Sequence, residues 1–305
     1  MMNVAELNRT RRIGCEFEMT VPLVGNGNGS DVQRVLAEVL SANGIRAIYR
    51  SYQHTPLPYG VDVAVEHDSS IRGMPRWAGV TSMPIEVKTR ILSGVDDWEL
   101  IVPRLLEIAR YMGARVNRSC GHHVHVDLPE AASRMSVIRS LYNLIHKYEP
   151  IIYGIVAPSR RQNGYARSMA DHPRLLHGCR KFQDYMDVLH RWDRHHGLNL
   201  THVLASEPRI EFRYHQGTLD TTKARNWMRL LNRLVEHAVS RNCQAGEQVA
   251  NNRKAFDAFR STIGLRSHPG IYRKVSSELR ETSKYLLKRW RQFNVAASGE
   301  DESDA

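Results

Sequence analysis

His123-Val124-His125-Val126-Asp127-Leu128 alternates without a break, imidazole or carboxylate on one parity and apolar side chains on the other. Successive residues of a strand point to opposite faces of a sheet, so this stretch reads as a strand with an apolar back and a chemically active front. The design recurs twice. Cys15-Glu16-Phe17-Glu18-Met19 sets Glu16 and Glu18 on one face, and Ile210-Glu211-Phe212-Arg213-Tyr214-His215 sets Glu211, Arg213 and His215 on one face. If these strands share a sheet, a single face gathers Glu16, Glu18, Asp127 and Glu211 with three histidines. That many carboxylates cannot all stay ionised together without cations among them. The expectation is a polar sheet face that holds divalent metal.

Working outward, the chain has 305 residues, 42% hydrophobic and 25% charged, which describes a globular, soluble protein with a sizeable core. No apolar run approaches the ~20 residues of a membrane span. Met1 to Arg12 lacks the apolar stretch of a secretory signal. Cys15, Cys120, Cys179 and Cys243 form no CxxC pair, which excludes finger-type zinc and points to a reduced, cytoplasmic protein. The net charge of +11 suits nucleic acid or small anionic substrates such as ATP. Much of the excess falls in residues 253–291, with no aromatic interleaving, zinc finger or helix-turn-helix pattern. It reads as a solvated helix surface, so nucleic acid is not the expected partner. Residues 1–295 read as one domain and 296–305 as a disordered acidic tail.

Strand patterns also occur at Arg12 to Thr20, Ile45 to Tyr49, Val61 to Glu66 and Met83 to Arg90, where Glu86 and Lys88 share one face. Gly25 to Gly29 is a loop with no GK[ST] after it, hence no phosphate cradle. Helical spacing runs from Ser30 or Asp31 to about Asn43, from Asp96 or Asp97 to Met112 and from Ser133 to Tyr148. Pro103 should kink the second of these or mark a late start. Further helices are expected at 181–190, from a Thr221 or Thr222 cap onward, and at about 247–262 and 271–293. Strands concentrate in the first 130 residues without regular βα alternation. That predicts an α+β fold whose largely antiparallel sheet packs helices on one face and lines a site with the other.

The candidate ligands are of unequal weight. Glu-x-Glu alone is common on solvated strands, whereas His123-x-His125-x-Asp127 presents metal-ligand types together. His122 points the other way and should be structural. Gly121 allows a bulge or a close approach. Glu211-x-Arg213 sets a metal ligand beside a guanidinium able to clamp phosphate. Asp68 and Glu86 are further ligand candidates. Arg161, Arg167 and Arg174 lie in an irregular segment that could meet an anion.

Gly14-x-Glu16-x-Glu18, Asp68-Ser69-Ser70, Pro84-x-Glu86, Cys120-Gly121-His122-His123-Val124-His125-Val126-Asp127 and Glu211-Phe212-Arg213-Tyr214-His215-Gln216-Gly217-Thr218-Leu219-Asp220 occur in that order. The set resembles the amidoligase family, whose members look like distant relatives of glutamine synthetase and glutamate–cysteine ligase. The resemblance implies a curved, glutamine-synthetase-like sheet holding ATP and Mg²⁺. Glu16, Glu18, Glu86, His123 and Glu211 would be metal ligands; His125, Arg213, Thr218 and Arg161 would meet the nucleotide. Arg213 would also stabilise phosphoryl transfer, with Asp68, Asp127 or His215 taking the amine proton. Where the family often has Asp-Gly-Ser, this chain has Asp68-Ser69-Ser70. The implied activity is an ATP-dependent carboxylate–amine ligase acting through an acyl phosphate on small-molecule or peptide acids and amines, compatible with a homo-oligomer. A histidine ligand widens the metal choice to Mn²⁺. The alternatives are a metal-dependent hydrolase using the same ligands and, more remotely, a nucleic-acid-binding module.

Overall fold

The computed structural model describes residues 4–23, 29–51, 55–73, 81–171 and 176–295. Along the chain run β1 (Val4–Ala5), β2 (Ile13–Pro22), α1 (Gly29–Ala42), β3 (Ala47–Tyr49), β4 (Val63–Glu66), β5 (Ser82–Thr89), α2 (Val95–Tyr111) and β6 (Gly121–Asp127). There follow α3 (Glu130–Ser133), α4 (Ser136–Ile155), α5 (Phe182–Leu189), β7 (Leu198–Asn199), β8 (Arg209–Gln216), α6 (Thr221–Ser240), α7 (Arg253–Thr262), β9 (Lys274–Val275) and α8 (Ser277–Asn294). Among the described residues three single 3₁₀ turns lie between α4 and α5.

The expected α+β architecture is present, with a mixed, mostly antiparallel sheet. Seven strands lie in the order β3-β4-β5-β2-β6-β8-β7, and only β3 and β4 pair in parallel. β1 and β9 form a separate parallel pair that ties the N-terminus to the start of α8. The back of the large sheet carries Ile13, Cys15, Phe17, Met19 and Val21 of β2 and Val124 and Val126 of β6, all buried. α6 covers this face: Met228 Sδ lies 3.8 Å from Cys15 Sγ, and Trp227 packs against His215 with ring centroids 5.1 Å apart. The hydrophobic cluster is continuous from Ala5 to Trp290. Burying apolar surface on this scale is what stabilises the sheet and leaves its other face free for polar groups.

Most helix ends differ from their sequence reading by a residue or two. Two differences have a physical cause. Pro103 neither delays nor ends α2, which runs on from Val95. α4 likewise extends through Pro150 to Ile155, past its expected end at Tyr148, because nearly all its residues are buried. Tertiary packing outweighs the local cost of proline here. α6 is capped one residue early, by Asp220, whose carboxylate accepts the Lys223 N–H at 3.1 Å. Of the loop expected at Gly25 to Gly29, residues 25–28 lie outside the described residues and Gly29 begins α1; Arg174 and the tail at 296–305 also lie outside them.

Candidate active site

Cross-strand register decides which side chains meet. Glu16 stands opposite His123 on β6 and Lys88 on β5; Glu18 stands opposite Glu86; Glu66 of β4 also stands opposite Glu86; His125 stands opposite Glu211. Paired residues on one face bring their Cβ atoms within about 5 Å, so acids of β4, β5, β2 and β8 converge around the histidines of β6. His123 sits among three of them: its Nδ1 is 3.2 Å from Glu16 and 3.6 Å from Glu211, and its Nε2 is 3.5 Å from Glu18. His125 Nε2 lies 3.3 Å from Glu16. The Gly121 N–H donates to Glu18 at 2.6 Å. A Cβ at Gly121 would lie 2.6 Å from the His123 ring, so only glycine lets strand and imidazole approach this closely.

Three donor groups result, each with ligand atoms within 4.8 Å of one another: Glu16, Glu86 and His123; Glu16, His125 and Glu211; Glu18, Asp68 and Glu86. They overlap at Glu16 and Glu86, which gives a row of adjacent cation-sized positions across β5, β2, β6 and β8. All five residues expected as metal ligands, Glu16, Glu18, Glu86, His123 and Glu211, fall in this row. His125 and Asp68, ligand candidates by residue type with other roles also expected of them, join it.

The charges of the row explain each titration. Burial is the largest influence on Glu86 and pushes its carboxyl well up, with the negative Glu16 adding to it against Lys88. Burial also opposes ionisation of Glu16, but His125 and His123 outweigh it and hold that carboxyl well down. Glu211 behaves alike, burial being overcome by His125, Arg213 and His123. Burial alone would lower His125, yet Glu16 and Glu211 raise it. The His125 imidazole and the Glu16 and Glu211 carboxylates thus favour one another's charged forms, as a metal would favour the carboxylates. Carboxylates predominate and burial beside Glu16 opposes the ionisation of Glu86, so the donor set fits a hard divalent cation, and its imidazoles admit Mn²⁺ beside Mg²⁺.

Around the row lie residues that the sequence reading did not assign to the site. Lys88 Nζ bridges Glu66 and Glu86 at 2.9 Å each, and Arg50 Nε reaches Glu66 at 2.7 Å. Asn199 of β7 donates to Glu211 at 2.6 Å, fixing the carboxylate. The alternation of β4 and β5 signals Glu66 and Lys88; nothing local signals Asn199.

Other expected residues are placed differently. Arg213 pairs with Glu211 and donates its Nε to the Tyr165 carbonyl at 3.0 Å. Asp127 joins none of the three groups; its carboxylate accepts from the Arg12 N–H and Nε at 3.0 and 3.1 Å. Thr218 is buried, with its hydroxyl accepting the Asp220 N–H at 3.1 Å in the turn into α6. Arg161 turns away to the Tyr153 and Phe293 carbonyls at 3.2 and 3.4 Å, and Arg167 pairs with Asp193. The buried guanidinium is its neighbour Arg160, which donates to the Arg213 carbonyl at 2.6 Å. Burial draws it down to about 10, partly offset by Glu18.

His215 corrects the parity argument outright. Between His122↔His215 and Val124↔Phe212 the register slips, so Arg213 and Tyr214 together stand opposite His123. One extra residue in β8 inverts the face of everything beyond it. His215 therefore lies on the back, edge-on to His122 at 5.7 Å, where burial holds it well below the usual histidine range. It is removed as a proton acceptor. His122 is structural as expected: it stacks on Phe17 at 4.2 Å, and burial lowers it to about 3.

Among the described residues no helix is long and apolar enough to cross a membrane. All four cysteines are free. No curated protein matches the chain. A family profile described as "putative amidoligase enzyme" matches residues 9–235, a span that contains β2 through most of α6 and every member of the three donor groups. The chain belongs to this amidoligase family.

Proposed function

We propose that the protein is an ATP-dependent carboxylate–amine ligase, built on a glutamine-synthetase-like sheet and working in a reducing, cytoplasmic setting. The observation that carries this reading is the row of three overlapping donor groups on one sheet face, bordered by Arg213. A single metal needs one such group. A row sharing Glu16 and Glu86 suits a polyphosphate with several ions, as phosphoryl transfer requires.

Glu16, Glu18, Asp68, Glu86, His123, His125 and Glu211 would hold two or three Mg²⁺, with Mn²⁺ as an alternative. Those ions and ATP supply charge neutralisation and the transferable γ-phosphoryl group. Glu18 and Glu211 are pre-set for this by the Gly121 N–H and the Asn199 amide. Arg213 rests on Glu211 and the Tyr165 carbonyl, and would turn to an oxygen that gains charge in the transition state. The substrate acid is activated as an acyl phosphate, and the amine displaces phosphate to form the amide. Asp127 is engaged by Arg12, so of the two expected carboxylates Asp68 would take the amine proton, at the oxygen it does not offer to metal.

The test is a screen of acid and amine pairs for ADP release with Mg²⁺, run beside calorimetry of nucleotide uptake. ADP should appear only when both substrates are present, and Glu211→Ala should remove both nucleotide uptake and turnover. Bond cleavage without ATP, or no uptake of nucleotide with either metal, refutes the reading.

A further inference from the structure

The basic excess of the C-terminal third is concentrated by the fold. A cavity of about 550 Å³ between α7, β9 and α8 is lined by Arg260, Arg266, Arg273, Lys274, Arg280 and Lys284. No Asp or Glu is among the described residues lining it. Nearby acids are engaged elsewhere: Asp257 by Arg253 and Arg260, Glu278 by Arg9, Glu281 by Arg229. Arg260 is buried, with its terminal nitrogens on Asp257 and Ser283. Arg266, Arg273, Lys274, Arg280 and Lys284 are exposed, and only Arg266 comes within 3.9 Å of a carboxylate. Clustering like charges costs stability unless an anion answers them.

The chain carries such an anion. α8 ends at Asn294, and beyond it Glu300, Asp301, Glu302 and Asp304 lie within five positions. From Lys284 to the helix end is about 15 Å at 1.5 Å rise per residue. The following ten residues span at most about 33 Å when extended, so the acids can return to the groove. Tethering holds them there at an effective concentration on the order of millimolar. We propose that this groove is the docking site of the chain's own acidic segment, residues 300–304, which closes it to other polyanions. The contact is electrostatic and intramolecular, and it is independent of the reading of the sheet face.

Zero-length carbodiimide cross-linking of the intact chain, read by mass spectrometry, tests it. Lys274 and Lys284 should couple to Glu300–Asp304 in preference to Lys288, which is nearer in sequence and exposed. The Lys274 and Lys284 products should fall severalfold when ionic strength rises from about 0.05 M to about 0.5 M, as screening shortens the Debye length. A mixture of isotopically light and heavy chains should give products within one chain. Neutralising the segment (Glu300→Gln, Asp301→Asn, Glu302→Gln, Asp304→Asn) should raise the affinity of a single-stranded oligonucleotide severalfold, and Arg273→Glu with Lys284→Glu should cancel that gain. Coupling dominated by Lys288, products only between chains, or oligonucleotide affinity indifferent to the segment each overturns the proposal; the last would assign the groove to nucleic acid.

Discussion

The two faces of one strand show how far environment, rather than residue type, sets chemistry. β6 carries His122 and His123 side by side. His122 enters the back face against Phe17 and His215, where burial holds it neutral at about 3. His123 and His125 enter the front among Glu16, Glu18 and Glu211, and the carboxylates raise His125 despite burial. The back face is a packing problem solved by shape and apolar contact. The front face is a charge problem that sequence alone leaves unbalanced, because Glu16, Glu18, Glu66, Asp68, Glu86 and Glu211 outnumber Arg50, Lys88 and Arg213. A face in that condition is suited to taking up cations and a poor contributor to stability.

The sharpest way to break this division is at Arg213. Arg213→Ala should lower kcat by about 10²–10³-fold while metal affinity, measured by calorimetry, stays near that of the parent. Loss of metal affinity instead would make Arg213 part of the scaffold around Glu211. Next come the adjacent histidines, which should give opposite phenotypes. His122→Ala should cost about 2–4 kcal/mol in denaturant unfolding, from the cavity against Phe17, and spare metal binding. His123→Ala should abolish tight metal binding with a smaller stability loss. Equal stability losses would mean that the two faces are not separately organised.

Glu86→Gln should raise the Tm of the metal-free protein by a few degrees, because it removes a carboxyl whose ionisation burial and the neighbouring Glu16 and Glu18 oppose. The same substitution should remove the Tm gain on adding Mg²⁺. A metal-free variant that melts lower than the parent would show that Lys88 already balances this acid.

The smallest expected effect lies behind the sheet. Glu149 of α4 is buried and accepts from Tyr214, Ser168, Met169 and Gln248 at 2.8, 2.5, 3.0 and 3.2 Å, and burial raises its carboxyl above the usual range. A carboxyl raised on folding binds its proton more tightly in the native state. Its contribution to stability is present below the ordinary glutamate range near 4.3 and is lost as pH rises through the raised value. Stability of the parent relative to Glu149→Gln should therefore fall as pH rises above the ordinary glutamate range, as followed by denaturant midpoints. A difference that grows with pH reverses the assignment.

Much of this site could be read before any fold was known. Strict alternation in β2 and β6 put Glu16 with Glu18, and His123 with His125, on one face of each strand, because a strand offers only two faces. What resisted reading was non-local. The extra residue in β8 exists only relative to β6, so His215 carried the right parity and landed on the wrong face. Asp127 and Arg161 have the chemistry of site residues, but Arg12 and the end of α8 claim them first. Arg160 differs from Arg161 by one position and no local pattern, yet a turn packed on β8 buries it behind Arg213. Sequence by itself determined which side chains share a face, since that follows from backbone geometry at each residue. Only the tertiary structure decided which faces meet, in what register, and which charges find partners, since those depend on groups far apart along the chain.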